Sequence, residues 1–349
     1  MAALLAILAA LRKAIARDLS SFESLKVNNF FLFVLLLIAG TSSVGLPPTS
    51  AYPFLLVLSV LILFPMSTDP LAKIPPDRLA LWPLSMRQRI ALRVTSFLLS
   101  PLLWIMALIL WRSASLVTML SYLALALGVQ IASATGQKLA GRQPHFQLLR
   151  YVPQVPGPLG GLIRKNLRQQ LSLLDPYLAL VLSIGGGIYR FTSPNVDPAA
   201  PVILGLLVAL ALSTYTQSLF GLDGAAGMTR YRLLPLRGWQ ILLAKDVAFL
   251  VLLIVLVVPL SPLPGITFGL AALAFGHHSS VFLRIPQRRW RFAGGRLLPV
   301  GALQAIGGIS LGFAESNFGP IVLVWTLLGF GASLFWYGRC WDHSRSGPS

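Results

Sequence analysis

Two adjacent histidines are the first side chains of this chain that suggest a metal site. His277 and His278 would point in different directions on a helix, and no cysteine or second acid lies near them in the sequence. We therefore predict no metal site and no catalytic group, and we expect the histidines to form a polar helix end.

Glycines at 221, 224 and 227 raise the question of phosphate binding. The stretch GLDGAAGMTR does not continue into the Lys-Ser/Thr pair with which a P-loop holds phosphate and magnesium. It also resembles the DG-x-x-A-R start of the membrane enzymes that join CDP-alcohols, but Gly227 and Met228 stand where that pattern requires Ala-Arg. The sequence favours a chain that is not an enzyme, uses no cofactor and binds no ATP itself.

The remaining acids are expected to have structural roles. Asp69 and Asp223 each follow a long apolar run and are expected to cap a turn, with pairing to Arg78 or Arg230 as the alternative. Glu315 is expected to be a solvated acid in a loop.

Two cationic segments share one spacing. RLALWPLSMRQRIALRV covers residues 78–94, and RYRLLPLRGWQILLAKD covers residues 230–246. Aligned on their prolines, they pair Arg78 with Arg230, Pro83 with Pro235, Gln88 with Gln240, and Arg93 with Lys245. A basic membrane anchor needs charge but no fixed spacing. We therefore interpret the two segments as a duplicated docking surface, with an interfacial anchor as the alternative.

The composition around these segments is that of a membrane protein. Of 349 residues, 56% are hydrophobic and 11% are charged, whereas soluble domains are about 25% charged. A helix crosses the bilayer with about 20 apolar residues. We therefore predict an all-α polytopic membrane protein with about 10 transmembrane helices. The runs that approach this length cover residues 28–46, 51–66, 94–111, 116–135, 175–193, 200–220, 241–259, 264–283, 297–314 and 320–338.

The distribution of Lys and Arg predicts the topology. If the amino terminus is cytoplasmic, 26 of the 28 basic residues fall on the cytoplasmic side, and only Arg112 and Arg190 fall on the other. Both termini are then cytoplasmic, and we predict an integral protein of the cytoplasmic (inner) membrane. The net charge of +18 would face anionic lipid headgroups or a protein partner rather than nucleic acid.

The chain also repeats its plan. Residues 1–26 and residues 162–174 each place apolar side chains three and four apart beside basic ones, which is typical of a helix that lies in the membrane interface. Together with the proline segments, this predicts two parallel repeats. The first unit, residues 1–158, would have about 4 spans, and the second, residues 159–349, about 6.

The interfacial helix, the Leu-x-Pro-Leu segment followed by Gln and a base, and the small-residue fourth span resemble the permease subunits of type-2 ABC exporters. In that family the amphipathic helix and the short helix between spans two and three contact the ATP-binding subunit. The resemblance implies that 78–93 and 230–245 are coupling segments for an ATPase on a separate chain. The usual unit of the family has six spans, whereas the first unit here has about four.

We therefore predict the membrane permease subunit of an ABC transporter, an exporter by resemblance. It would move its substrate with ATP hydrolysed by a separate ATPase subunit. The alternative is a non-catalytic membrane subunit of a larger membrane complex.

Overall fold

The computed structural model of the chain describes part of its length, in two compact units. The first unit comprises Met1–Leu25 and Phe33–Phe146, and the second comprises Lys26–Leu32 and Gln147–Ser349. The predicted amino-terminal helix and the spans over 28–46 and 51–66 lie outside the described residues, apart from Lys26 and Asn29. The described residues are 26–27, 29, 85–99, 101–113, 115–136, 152–153, 156–192, 197–283, 285–287, 289 and 291–346.

In the first unit the described residues form three helices, α1 (Met86–Leu98), α2 (Pro101–Ser113) and α3 (Leu116–Gly136). The span predicted over 94–111 is not one straight helix, because α1 and α2 meet at an angle of 56°. Pro101 explains the break, since proline has no backbone N–H and its ring clashes with the preceding turn of a helix. The Trp104 Nε1–H donates to the carbonyl oxygen of Leu98 at 2.8 Å, and this side chain therefore satisfies a backbone acceptor at the break.

In the second unit the described residues form eight α-helices and one two-residue antiparallel pairing of β1 (Lys26–Val27) with β2 (Gly295–Arg296). Three turns of other helix types extend or precede these helices: a 3-10 turn at Thr214–Ser218 and π turns at Ser279–Leu283 and Leu297–Gly301. The α-helices are α4 (Gly160–Gln170), α5 (Asp175–Thr192), α6 (Ala199–Ser213), α7 (Gly224–Leu233), α8 (Gly238–Val257), α9 (Pro262–His278), α10 (Ala302–Phe318) and α11 (Ile321–Ser346).

Several of these helices are long and apolar enough to cross a membrane. Four qualify among the described residues: Ala199–Ser218, Gly238–Val257, Pro262–Leu283 and Ile321–His343. Two bent pairs, α1 with α2 and α4 with α5, raise the number to as many as six. The all-α class is therefore confirmed, with four to six helices that could span a membrane by length and composition, whereas ten spans in two repeats stays a prediction.

The polar helix α4 and the apolar helix α5 meet at 79°. The amide side chains of α4 face the protein, since Asn166 and Gln170 are buried, while Ile163 and Leu167 are half-buried and Lys165 is exposed. Side-chain hydrogen bonds on its inner side therefore hold α4 to the rest of the second unit.

Helix α9 is the centre of the second unit and packs against α6, α8, α10 and α11. Its residues are buried on nearly every side, including Phe268 and Leu273. At Gly276 a Cβ atom would lie 2.5 Å from the Thr216 carbonyl oxygen, so only glycine allows this approach to the 3-10 turn.

Candidate functional site

A buried carboxylate joins four segments of the second unit. The side chain of Asp223 is fully buried and accepts from Lys165 at 2.6 Å, from Gln169 at 3.0 Å and from Lys245 at 2.7 Å. The Tyr231 hydroxyl lies 3.2 Å from the same carboxylate. These residues, together with Asn166, are the Asp223 cluster. The cluster ties α4, the loop before α7, α7 itself and the membrane helix α8.

Lys245 is the innermost cation of the cluster. Its side chain is fully buried on α8, and its ammonium also donates to the Leu219 carbonyl at 2.7 Å and to Asn166 Oδ1 at 3.3 Å. The rings of Phe220 and Tyr231 lie 4.6 and 5.3 Å from Nζ, within the range of cation–π attraction. A buried ammonium is tolerated when it is paired and hydrogen-bonded in this way.

The electrostatics of Asp223 follow from its partners. Burial alone raises the pKa of a carboxyl group, but the charge of Lys245 and the hydrogen bonds from Lys165, Lys245 and Gln169 outweigh it. The pKa of Asp223 is therefore held below its ordinary value, and the group is an anion between two cations. Burial and the Asp223 charge raise the pKa of the Tyr231 hydroxyl, which stays protonated and can donate.

The cluster corrects two predictions. Lys245 was predicted to lie on a docking surface, but it is a fully buried partner of Asp223. Asp223 neither caps a helix with its side chain nor pairs with Arg230, because Lys165 and Lys245 occupy its oxygens. Sequence spacing places Lys245 on the same helix face as Ile241 and Ala248, which the structure shows to be buried, but α8 is apolar on nearly every side, so the sequence alone does not identify this face as buried.

The two aligned glutamines make the same local contact. Gln88 Oε1 accepts from the Ser85 backbone N–H at 2.9 Å, and Gln240 Oε1 accepts from the Arg237 backbone N–H at 2.9 Å. In both copies the glutamine is the third residue of the helix and its oxygen caps the helix start. The shared position of these glutamines thus has a structural reason, which reduces the need for a docking role.

The side chain that accepts from a backbone N–H of the first helical turn differs between the two proline segments. In α1 the Ser85 hydroxyl accepts from the Gln88 N–H at 3.3 Å. Arg237 cannot accept in this way, and Asp342 Oδ1 on α11 accepts from the Gly238 N–H at 2.8 Å instead. The Trp341 ring, next to Asp342, stacks on Phe220 at 4.5 Å between centroids. The end of α11 therefore holds the start of α8.

The other predicted contact residues lie as follows. Arg230 and Pro235 are exposed, and Leu234 has an extended backbone because it precedes proline. Arg78 and Pro83 lie outside the described residues, and so does the side chain of Arg93. The described structure therefore brings Lys245 to the Asp223 cluster and leaves Arg230 and Pro235 at the surface.

His277 and His278 are the last two residues of α9, as the predicted polar helix end requires, but only His278 is exposed. His277 is fully buried, with Nε2 3.1 Å from Asp246 Oδ2 and Nδ1 2.9 Å from Ser333 Oγ. Serine, histidine and aspartate also form hydrolase triads, but Ser333 lies inside α11, where backbone N–H groups are engaged in the helix and cannot stabilise an oxyanion. The described residues contain no group of three or more His, Cys, Asp or Glu side chains that could hold a metal ion.

A third buried polar group is centred on Gln304 of α10. Its Nε2 donates to Thr216 Oγ1 and to the Ala272 carbonyl, and its Oε1 accepts from Gln217 and Asn29. All four hydrogen-bonding positions of this amide are used, so the group fastens α10 to the 3-10 turn after α6.

Glu315, which was expected in a solvated loop, lies in the last turn of α10 and is 4% exposed. The chain turns later than predicted, at Gly319, whose φ of 74° lies in the left-handed region that favours glycine. The exposed polar residues at this turn are Ser316 and Asn317 rather than Glu315.

Comparison with known proteins identifies no relative. A scan against protein-family models finds no match, and searches of curated proteins and of solved structures find no similar protein.

Proposed function

We propose that the chain is the membrane permease subunit of an ABC transporter, most simply an exporter, that works with an ATPase on a separate chain. The observation that carries the proposal is the Asp223 cluster, because it joins α4 and α7, the helix that leads into the proline segment, to the apolar helix α8 through buried polar contacts. A coupling element requires such a connection, since a force applied at a surface segment must reach the transmembrane helices.

Helix α4 takes part in the same connection. Lys165 and Gln169 of α4 contact the carboxylate that Lys245 of α8 contacts from the other side. In the proposed function, a movement of the interfacial helix or of the proline segment is transmitted to α8 through one buried anion. Ten spans in two parallel repeats, with both termini cytoplasmic, complete the proposal.

Fewer of the predicted coupling residues are available at the surface to contact the ATPase. With Lys245 buried and Gln240 capping the start of α8, the exposed side chains near the proline include Arg230, Leu233, Leu234, Pro235 and Arg237. Leu233 is 79% exposed, and a large exposed apolar side chain beside two arginines fits a partner surface with an apolar pocket and acidic rim.

Copurification tests the proposal. The tagged full-length chain, extracted from its native membrane, is expected to bring down a P-loop ATPase, while the chain stripped of that subunit binds no ATP. Exposed ion pairs contribute about 0–1 kcal/mol each, so the double variant Arg230→Asp/Arg237→Asp is needed to weaken the association clearly. Arg112→Asp, a charge reversal on the side predicted to face away from the cytoplasm, is the matched control and should retain the ATPase.

The alternative, a non-catalytic subunit of a larger membrane complex, predicts a different result. The chain would then copurify with membrane proteins and without a P-loop ATPase, and the double variant would not alter ATP hydrolysis in the complex. That result would overturn the proposed permease.

A further inference from the structure

A groove between α5 and α6 has no part in the proposed coupling path. Its volume is about 390 Å³, which is within the size range of ligand sites in proteins. Apart from one tyrosine, the residues that line it are glycine or aliphatic: Gly185, Gly186, Tyr189, Ala200, Ile203 and Leu204. A ligand that fills this groove must therefore be apolar over most of its surface.

The two helices that form the groove are candidate membrane helices. Helix α6 with the turn after it is long and apolar enough to cross a membrane, and α5 qualifies together with α4 as a bent pair. Ile184 and Ile188, which precede Gly185 and Tyr189 on α5, are each more than half exposed. In a bilayer such side chains contact hydrocarbon, which is as apolar as they are. Lipid chains are therefore the apolar molecules that reach this groove.

The two glycines that line the groove differ in their packing. A Cβ atom at Gly186 would lie 2.8 Å from Leu260 Cδ2 and 3.1 Å from Leu204 Cδ1, so close packing inside the unit explains this glycine. A Cβ atom at Gly185 would have no atom of the described residues within 4 Å. Glycine inside a helix is less stable than alanine. Gly185 thus weakens α5 without a packing gain in this unit, and its missing side chain leaves the groove open.

A cation lies one helical turn beyond the groove. Arg190 follows Gly186 by four residues on α5, and its Nη1 donates to the carbonyls of Pro259 and Leu260. Leu260 is also the residue whose side chain packs against Gly186. The backbone of the turn between α8 and α9 therefore holds the guanidinium close to the residue that forms the floor of the groove.

The rest of this guanidinium is suited to an anion. Its three N–H groups on Nε and Nη2 have no acceptor among the described residues, and no described carboxylate forms an ion pair with it. Asp197, the next acid along the chain, accepts from the Ala199 backbone N–H at 2.9 Å at the start of α6. Arginine binds phosphate well, because its planar fork matches two oxygen atoms at once. An apolar groove with such a cation at its end fits a phosphate-bearing amphiphile.

We propose that this groove binds a phospholipid of the membrane, with one hydrocarbon chain between α5 and α6 and the phosphate at the guanidinium of Arg190. The topology predicted from the basic residues puts this end of α5 on the side away from the cytoplasm, so the lipid belongs to the outer leaflet. The lipid fills the space that Gly185 leaves open and supplies the anion that Arg190 lacks. The site does not depend on an ATPase, so its loss would leave the proposed function standing.

Photochemical labelling of the full-length protein in lipid nanodiscs tests the site. The probe is phosphatidylglycerol with a diazirine in one acyl chain, and mass spectrometry locates the labelled residues. We expect labels at residues 185–192 and 199–204 in about tenfold excess over the exposed face of α11 at residues 324–336. Equal labelling of these segments would show general contact with the bilayer only and would overturn the site. Absence of label from α5 and α6 would overturn it too, because another protein segment or a second copy of the chain would then cover the groove.

Gly185→Leu tests the position of the hydrocarbon chain. The added side chain enters open space, so the protein should fold as before while the groove is filled. We expect the excess label on α5 and α6 to disappear. Gly329→Leu is the matched control, because this glycine of α11 is also exposed and no atom of the described residues lies within 4 Å of its added Cβ. Unchanged labelling in Gly185→Leu, or an equal loss in both variants, would show that no chain lies in the groove.

Arg190→Gln tests the contact with the phosphate. We expect labelling by phosphatidylglycerol to fall about tenfold, since a hydrogen bond between two charged groups is lost. Labelling by a diacylglycerol with the same photoreactive chain should stay as weak as in the wild type. Arg112→Gln, which removes the other base predicted on that side of the membrane, is the control and should change neither result. Equal labelling of the wild type by the two probes would show that the phosphate is not recognised and would overturn the proposed phospholipid.

Discussion

Lys245 lies seven residues after Gly238, the first residue of α8. At 1.5 Å and 100° per residue, it is about 10 Å along the helix axis and nearly two turns from the helix start. The alignment of the two proline segments pairs Lys245 with Arg93. It does not show which side of α8 the Lys245 side chain faces. The structure gives that information, because Ile241 and Ala248, four residues before and three after Lys245, are buried on the same helix face. The partner could not be derived in the same way, because Asp223 is brought to Lys245 by the fold of the loop before α7.

The Asp223–Lys245 pair leads to a first prediction, tested by a double-mutant cycle. Asp223→Asn leaves two cations without their anion, one of them fully buried, and is expected to destabilise the protein by about 3–5 kcal/mol. Lys245→Met is expected to cost less, because Lys165 still neutralises Asp223. The double variant should be more stable than Asp223→Asn alone. Thermal unfolding in detergent measures the cycle, and strict additivity would show that the pair does not interact.

The depressed pKa of Asp223 makes a second prediction, on acid stability. A carboxyl group whose pKa is lower in the folded than in the unfolded protein contributes stability above its unfolded pKa, which is near 3.8. This contribution declines as the pH falls through the lower folded pKa. The unfolding temperature of the wild type should therefore lose this contribution only below about pH 4, while that of Asp223→Asn should lack it throughout. A difference between the two proteins that disappears already at pH 6 would contradict the assignment.

At the scale of helices, the two proline segments are more alike than a shared charge pattern requires. Met86 and Gly238 begin helices 152 residues apart, which equals the spacing of the aligned prolines. The sequence predicts this common start, because Gln at the third helical position is a capping signal. It does not predict that Asp342 provides the missing acceptor in the second copy, since that contact spans 104 residues.

The crossing of α8 and α11 makes a third prediction. A Cβ at Gly238 would lie 2.2 Å from the Gly338 carbonyl oxygen, and one at Gly338 would lie 2.6 Å from the Trp239 backbone. Gly238→Ala and Gly338→Ala should each force the helices apart and destabilise the protein by about 1–3 kcal/mol, as overpacking does. Gly331→Ala is the control on the same helix, because no atom lies within 4 Å of its added methyl. Equal unfolding temperatures for Gly338→Ala and Gly331→Ala would mean that this crossing is not as close as described.

At the scale of the whole chain, composition predicts the all-α membrane class, because burial in lipid requires apolar helices whatever their order. The distribution of Lys and Arg predicts which helix ends lie on the same side of the membrane. In the second unit Arg190 lies at the end of α5 and donates to the carbonyls of Pro259 and Leu260, beside the turn between α8 and α9. Helix breaks are less predictable from hydropathy, since the bend at Pro101 and the π turns near α9 and α10 depend on single residues and on packing.

The orientation of the second unit in the membrane gives the last prediction. The background for this test replaces Cys340, the single cysteine, by serine. In that background, Arg289→Cys places one thiol at an exposed position before α10, and Ser316→Cys places one at an exposed position in the last turn of α10. The positive-inside rule puts residue 289 in the cytoplasm, because the segment 284–296 is rich in arginine, and residue 316 outside. In intact cells an impermeant maleimide should label Ser316→Cys and not Arg289→Cys, and detergent should make both reactive. Glu315, which is buried, is a poorer position for the probe than its neighbour. The reverse labelling pattern would place both termini outside and would remove the proline segments from any cytoplasmic ATPase.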